Sequence, residues 1–305
     1  MTPRTLRSLL ALILLPLAAL FAVNKPAAGQ AALPPPVPGV PIGWCIRVQG
    51  TAPEDAARAG YEYIELAMQD VLGLSDDDFE AAVKRLRGVG IPARVGYNIV
   101  PNDLLLVGPT LDRKRQDEHL RKAFDRAARL GLEMLVLGSG PARKVPDGFP
   151  RDKALQQLAD FSRRAAAEAA RHRIELLIQP LRSEDTNLVN TVAEALALVE
   201  KVARPNFHIL VDYSFLVIQK DDLADVVKAG KHVRHVWMAN PGGRTYPMNP
   251  AEADYAGFFE ALGKIKYRGG ISVHAKTQSY AADAPRAITL LRTLAAQKLA
   301  VTRPR

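Results

Sequence analysis

The sequence predicts a single α/β domain in which eight parallel strands, each followed by a helix, close into a (β/α)8 barrel. Three observations carry this prediction. Eight short apolar segments alternate with helical segments between residues 42 and 299, and polar residues stand where the apolar segments stop. The length of 305 residues accommodates such a barrel, which takes about 250 residues. No change in composition along this stretch marks a second domain.

The strands are expected to be short and mostly apolar, because a parallel strand in a barrel is buried on both faces. Eight segments of the chain meet this description. We predict strands at residues 42–48, 63–66, 93–98, 134–137, 175–179, 208–212, 233–239 and 270–274.

The helices carry apolar residues three and four positions apart, a spacing that places them on one helix face. Phe79, Val83 and Leu86 form this pattern in the second helix. Gly90 ends that helix with a residue that tolerates positive φ. The last helix, predicted at residues 284–299, closes the ring of eight βα units.

The first thirty residues have the layout of an export signal. Arg4 and Arg7 precede an apolar run at residues 9–23, and small residues follow it. Such a signal is removed on export, with cleavage expected near Gly29 or Ala32. The mature protein is therefore expected in the periplasm or outside the cell. An uncleaved membrane anchor is the alternative, but the run is shorter than the ~20 residues that span a bilayer.

Composition divides the chain into a signal peptide (residues 1–29), a proline-rich linker (30–41), the barrel (42–299) and a basic tail (300–305). Cys45 is the only cysteine, so no disulfide can form within the chain. The net charge is +9, and about +6 remains once the three cationic residues of the signal are removed. Because basic residues alternate with acidic ones along the helices, we expect no nucleic-acid partner.

Polar and aromatic side chains stand at the ends of the later strands, where an α/β barrel carries its site. Gln179, Asp212, Trp237 and His274 occupy the ends of strands five to eight. His235 shares a strand face with Trp237 but lies one layer deeper. We therefore predict that His235 is a buried histidine with a polar partner and not a ligand.

Six segments carry a family resemblance through their order and spacing. They are residues 138–149, 178–181, 186–191, 205–212, 235–240 with Arg244, and 267–274. Together they resemble the xylose isomerase-like barrel family of sugar isomerases and epimerases, which also includes barrels of the endonuclease IV type. The resemblance covers nearly all of residues 42–297. It implies a (β/α)8 barrel and isomerase or epimerase chemistry on a sugar derivative.

The resemblance also implies a divalent ion, held by a glutamate, an aspartate, a histidine and a second glutamate at the ends of strands five to eight. Those positions carry Gln179, Asp212, Trp237 and His274 here, and a further histidine is replaced by Phe215. Only one anionic ligand is left, because an amide oxygen is neutral and an indole has no lone pair for a metal. We expect no metal and no other cofactor; weak binding of a divalent ion is the alternative.

The resemblance makes His274 the candidate base for proton transfer, with Asp212 orienting it. The alternative is that His274 only hydrogen-bonds a neighbour. The candidate ligand-binding residues combine the carboxylate, amide, aromatic and basic groups that a hydroxyl-rich ligand requires. They are Glu65, Asn98, Arg143, Gln179, Asn187, Trp237, Arg244 and Lys276.

Some of these candidates have a structural alternative. Trp237 and Phe215 offer an apolar face to a sugar ring, or they pack the barrel mouth. Asn187 binds ligand, or it shapes its own loop by bonding backbone groups. Arg143 is expected to point over the mouth.

Three functions remain for comparison. The first is an exported barrel that binds or acts on a carbohydrate or polyol at its carboxyl-terminal mouth without the usual metal. The second is a non-catalytic carbohydrate-binding protein. The third, an endonuclease IV-like phosphodiesterase, needs a cluster of zinc ligands that these residues do not provide. The expected partner is a small sugar or sugar derivative; no oligomeric state is predicted.

Overall fold

The computed structural model describes residues 32–299 except 49 and 51. Eight parallel strands pair in sequence order, and the last pairs with the first, so the sheet is a closed barrel. The predicted (β/α)8 fold is confirmed. The strands are β1 (Ile42–Ile46), β2 (Tyr63–Ala67), β3 (Ala93–Tyr97), β4 (Met134–Leu137), β5 (Glu175–Ile178), β6 (Phe207–Asp212), β7 (Val233–Met238) and β8 (Gly270–Val273).

Helices surround the barrel and connect its strands. They are α1 (Ala52–Ala59), α2 (Met68–Gly73), α3 (Asp76–Arg87), α4 (Arg113–Arg129), α5 (Arg151–Arg171), α6 (Val192–Val202), α7 (Tyr213–Ile218), α8 (Leu223–Ala229), α9 (Tyr255–Lys264) and α10 (Tyr280–Lys298). Short 3-10 turns lie at Pro141–Arg143 and Gly230–His232.

The last helix begins four residues earlier than the sequence predicts. Its first residue, Tyr280, stacks on Trp44 with 4.2 Å between ring centroids, and its hydroxyl donates to the Asp55 carbonyl at 3.1 Å. These contacts hold the first turn against the barrel, and they are not visible in the helical periodicity.

Two layers of apolar side chains form the core. The larger one fills the space between the outer face of the sheet and the helices. The smaller one lies inside the barrel and is covered at its carboxyl end by Trp237. It consists of Tyr63, Val95, Met134, Val136, Leu177, Leu210 and Trp237. The barrel interior is therefore a packed core, and the site must lie above it.

The segment interpreted as a linker packs against the amino end of the barrel, which corrects that interpretation for its described part. Val37 and Val40 are buried, and the Val40 amide donates to the Val37 carbonyl at 3.0 Å. The turn between them has proline at its second position and Gly39 at φ 78°, as a type II turn requires. The carbonyl of Pro41 accepts from the Ile271 amide at 3.0 Å, so this turn joins the sheet.

The predicted signal peptide and basic tail lie outside the described residues. Within residues 32–299, leaving out 49 and 51, no helix has the length and apolarity needed to cross a membrane.

Candidate functional site at the carboxyl end of the barrel

The carboxyl ends of the strands surround a cavity of about 380 Å³. Amide side chains and aromatic rings share its lining, a mixture suited to ligands that carry both hydroxyl groups and apolar faces. Its lining includes the side chains of Gln69, Asn98, Asn102, Gln179, Asp185, Phe215, Trp237 and His274. A larger cavity of about 520 Å³ lies at the opposite end, between α3 and α4. Its described lining is apolar apart from Arg87 and Arg129 and holds none of the predicted site residues.

Two amides converge at the cavity because Gly138 has no side chain. A β-carbon at Gly138 would lie 2.5 Å from Oε1 of Gln179 and 3.0 Å from Oδ1 of Asn98. Asn98 leaves β3 in the left-handed region, at φ 54°, and its carbonyl accepts from Nε2 of Gln69 at 2.8 Å. The first turn of α2 and the segments after β3 and β5 are thus drawn together around the end of β4.

Aromatic rings form one wall of the cavity. The ring of His274 meets the indole of Trp237 edge to face, with centroids 4.0 Å apart. Tyr97 lies nearly perpendicular to Trp237 at 5.8 Å and is 5.3 Å from His274. Such edge-to-face arrangements are favoured by the charge distribution of aromatic rings. The three rings brace one another, and Trp237 and His274 line the cavity while Tyr97 supports them from outside the described lining.

Glu65 lies beneath this wall and does not line the cavity, contrary to the predicted contact with ligand. Its side chain is fully buried. One carboxylate oxygen accepts from Nε1 of Trp237 at 2.9 Å, and the other pairs with His235. Burial alone would raise the pKa of Glu65. The charge of His235 and hydrogen bonds from His235, Ser272 and Trp237 outweigh burial and hold that pKa below its usual value. His235 lies in the barrel interior with a polar partner, as predicted.

Asp212, the candidate orienting carboxylate, is occupied by neighbours. Its Oδ1 accepts from the Ser214 amide at 3.1 Å, the Ser214 hydroxyl at 2.7 Å and the Phe215 amide at 3.3 Å, so it caps α7. Its Oδ2 pairs with Arg244 at 3.0 Å. Asp212 therefore does not reach His274 through a hydrogen bond in the described part of the chain.

His274, the candidate base, lies at the end of β8 and lines the cavity. Burial lowers its pKa to about 4, against the opposing effect of the Asp212 charge. Its Nδ1 has no hydrogen-bond partner among the described residues. The imidazole is consequently neutral near pH 7, and its Nδ1 is a buried atom without a partner in the described part of the chain.

The prediction that the Arg143 side chain points over the barrel mouth is wrong. The loop after β4 folds into the 3-10 turn, which directs the guanidinium inward. There it is fully buried and donates to the Gln179 carbonyl at 2.6 Å. Burial lowers the pKa of Arg143 to about 9. Arg143 thus supports the backbone of a cavity residue and does not face the cavity.

Asn187 and Lys276 also lie away from the described cavity lining. The Asn187 amide bonds both backbone groups of Val145, at 2.7 Å and 2.9 Å, so it joins the loops after β4 and β5. Asn187 therefore shapes a loop, as the alternative to ligand binding predicts, but it bonds the backbone of the loop after β4 and not that of its own loop. Lys276 is exposed, and its amide donates to the Arg244 carbonyl at 2.7 Å.

Several cavity residues were not predicted. Gln69 and Asn102 lie in the segments after β2 and β3, and Asp185 lies in the loop after β5. All three follow the carboxyl end of a strand, Gln69 in α2 and the other two in loops, and this position is the signal that could have found them. Asp185 is paired with Arg182 through two contacts of 2.9 Å and 3.0 Å. The acidic residue of the lining is thus neutralised.

The residues at the implied metal position fit a divalent ion poorly. Both oxygens of Asp212 are engaged, and the Trp237 indole donates its only N–H to Glu65. An ion there would meet the amide of Gln179 and one imidazole, a weak donor set for a hard cation. Within the described residues no three His, Cys, Asp or Glu side chains are grouped as a metal site requires.

The chain is similar in sequence to known sugar epimerases. A family model for the xylose isomerase-like TIM barrel matches residues 53–295. The chain is 30% identical over 226 residues to the L-ribulose 3-epimerase of Methylomonas sp. (strain DH-1), covering 71% of this chain and 74% of that protein. It is 25% identical over 240 residues to the ketose 3-epimerase of Arthrobacter globiformis, covering 77% and 81%.

A solved structure gives the same fold. D-allulose 3-epimerase from Methylomonas sp., in complex with D-allulose, matches with a TM-score of 0.72 at 23% identity, covering 85% of this chain and 97% of that one. The family model and the sequence relatives span most of the barrel, and the relatives are sugar epimerases. The chain therefore belongs to the xylose isomerase-like TIM barrel family.

Proposed function

We propose that the mouth of this barrel binds a neutral ketose or polyol and does so without a divalent ion. One observation carries the proposal. The polar side chains of the described cavity lining are mainly uncharged amides. Its acidic residue, Asp185, is paired with Arg182, and Asp212, which is outside that lining, is paired with Arg244. A phosphate or carboxylate on the ligand would find no unpaired cation among the described lining residues.

The ligand class is also supported by the relatives. Two of them are named as an L-ribulose and a ketose 3-epimerase, and a related barrel was solved with D-allulose. Amides donate and accept at once, so they can bond sugar hydroxyls in either sense. The indole of Trp237 and the ring of Phe215 supply the apolar surface for the carbon face of the sugar.

Thermal shift and calorimetry test this proposal, because a ligand that binds the folded state raises the melting temperature by mass action. D-allulose and L-ribulose are compared with their phosphate esters and with sugar acids, each with EDTA and with Mn²⁺. We expect stabilisation by the neutral sugars alone, equal with EDTA and with Mn²⁺. Preferential binding of phosphorylated or acidic sugars, or binding that needs Mn²⁺, would contradict the proposal.

A second candidate function is proton transfer on the same bound ketose, with His274 as the base. The position of His274 in the cavity lining favours it. A base with a pKa about 4 is weak for removing a proton from carbon, and for this reason we place binding first. Deuterium uptake from D2O into the ketose, lost in His274→Ala, would establish the enzyme function.

The phosphodiesterase alternative has less support. Such chemistry uses clustered metal ligands, and the side chains at the mouth offer a poor donor set.

We also propose export, with removal of the signal near Gly29 or Ala32, because Arg4 and Arg7 precede an apolar run that small residues follow. Sequencing the amino terminus of protein isolated from cell fractions tests the cleavage position and the compartment.

A further inference from the structure

We infer that Arg244 is the resident cation of the mouth: its guanidinium neutralises Asp212 and braces the end of β8, at the position where the family pattern implies a divalent ion. This role of Arg244 rests on the proposed function, which requires a mouth that works without metal.

Asp212 shows what an ion would have to displace. Its side chain is 1% exposed, and Oδ1 accepts three hydrogen bonds from Ser214 and Phe215. The remaining oxygen, Oδ2, faces Arg244 at 3.0 Å. The carboxylate is thus satisfied by donors from the chain itself, and its charge is balanced within the fold.

Arg244 makes contacts that go beyond a surface ion pair. The nitrogen that pairs with Asp212 also donates to the Ser214 hydroxyl at 2.6 Å, and the other terminal nitrogen donates to the His274 carbonyl at 3.1 Å. The guanidinium lies 4.3 Å from the ring centre of Phe215. Its side chain is only 19% exposed. The planar fork of arginine suits such a set of contacts, which a point charge would not reproduce.

These contacts join three parts of the mouth. Asp212 ends β6, Ser214 lies in the first turn of α7, and His274 follows β8, so one guanidinium connects all three. Arg244 itself sits at φ 56° in the loop after β7, a left-handed conformation that is uncommon for a residue with a β-carbon. Arg244 is accordingly a positioning residue for His274, and its positive charge opposes a second cation at Asp212.

Four proteins test the inference: the full chain, Arg244→Met, Asp212→Asn and the double variant. The measurements are metal content and melting temperature with EDTA or with millimolar Mn²⁺. We expect the unaltered chain to hold far less than one metal ion per molecule and to melt identically in both solutions. Arg244→Met removes the counter-charge, so we expect its melting temperature to fall by ~5 °C or more and to recover partly with Mn²⁺.

The double variant removes both charges together. We expect it to be more stable than the additive effect of the two single changes, and insensitive to Mn²⁺. Arg182→Met is a matched control, because Arg182 also stacks on Phe215, at 5.1 Å, but pairs with Asp185. It should show no response to Mn²⁺.

Either of two results would overturn the inference. One is a stoichiometric metal in the unaltered chain whose removal by EDTA lowers the melting temperature. The other is full additivity of the two single changes with no response of Arg244→Met to Mn²⁺. If Arg244→Met does not fold, Arg244→Lys replaces it as the test, because lysine keeps the positive charge but lacks the planar fork. We then expect the melting temperature of Arg244→Lys to be insensitive to Mn²⁺. A gain of Mn²⁺ binding in Arg244→Lys refutes the inference. All readouts are made without sugar, so failure here is distinct from failure of the proposed function.

Discussion

Trp237 donates its indole N–H to a carboxylate oxygen of Glu65, 2.9 Å below it in the barrel interior. The second oxygen of Glu65 pairs with His235, and both acidic oxygens are withdrawn from solvent. The ring that covers the packed interior is therefore held in one orientation by a buried carboxylate. The wall of the cavity depends on a residue that does not touch the cavity.

We expect Glu65→Gln to destabilise the chain by about 2 kcal/mol or more, since the amide has one acceptor oxygen where the buried carboxylate has two. Gln has nearly the same shape and can still accept from Trp237, so the loss reports the second contact, which Glu65 makes with His235. Urea unfolding measures it. Glu133→Gln is the matched control, because Glu133 pairs with Arg94 at the surface, where an ion pair contributes about 0–1 kcal/mol. Equal losses in the two variants would argue against a special role for the buried pair.

The eight strands could be predicted because burial on both faces leaves an apolar signal in each segment. Strand ends could likewise be located to within about two residues. The direction in which a side chain near a strand end points could not be predicted. Glu65 lies in the middle of β2 and is buried in the interior, whereas Gln179 directly follows β5 and lines the cavity. The pairing of β2 with β3 shifts register between Ile64 and Glu65, and a register shift alters facing without any mark in the sequence.

The βα loops were less predictable for a different reason. Their conformations are fixed by contacts between loops far apart in sequence, such as the Asn187 amide with the backbone of Val145. Arg143 shows the consequence: its turn packs beneath the neighbouring loop, and its guanidinium bonds the Gln179 carbonyl. No local pattern around residue 143 distinguishes an arginine that faces a cavity from one buried below it.

Gly138→Ala should weaken ketose binding by ~10-fold or more, which corresponds to about 1.4 kcal/mol. The added methyl group would press on Gln179 at 2.5 Å and on Asn98 at 3.0 Å, so the two amides must separate. Gly138 is not among the glycines with positive φ, and alanine therefore adds no backbone strain. Calorimetric titration with D-allulose measures the affinity.

Gly73→Ala is the matched control for that substitution. Gly73 also lacks positive φ, and no atom lies within 4 Å of the β-carbon that alanine would add. Its affinity for sugar should equal that of the unaltered chain. If Gly138→Ala binds as tightly as this control, the convergence of the two amides is not part of the binding site.

The low pKa of His274 gives stability a dependence on pH with a definite sign. Burial keeps the folded-state pKa near 4, whereas the unfolded side chain titrates near 6.5. Between these values the unfolded chain binds a proton that the folded chain does not, so this residue makes stability fall as pH decreases from about 6.5 to about 4. Above pH 7 it contributes no pH dependence.

His274→Gln removes that contribution, and urea unfolding at pH 7.5 and pH 5 measures it. We expect the variant to lose less stability between the two pH values than the unaltered chain loses. Asp212, Arg244 and Glu65 act on the same ring and remain in the variant, so the difference isolates the imidazole. An identical loss in both proteins would mean that His274 titrates normally in the fold.

Trp237 and His274 separate the two proposed functions by their opposite expected effects. In a binding protein the large buried ring dominates affinity, so Trp237→Ala should abolish measurable binding of D-allulose, while His274→Ala should weaken it only a few-fold. In an enzyme His274→Ala should retain binding and abolish deuterium exchange into the sugar.

Titration and exchange are measured on the same preparations, with Trp44→Phe as a tryptophan control, since Trp44 stacks on Tyr280 and Tyr61. Exchange that survives in His274→Ala would remove this histidine from any catalytic role, and unchanged affinity in Trp237→Ala would remove the indole from the binding surface.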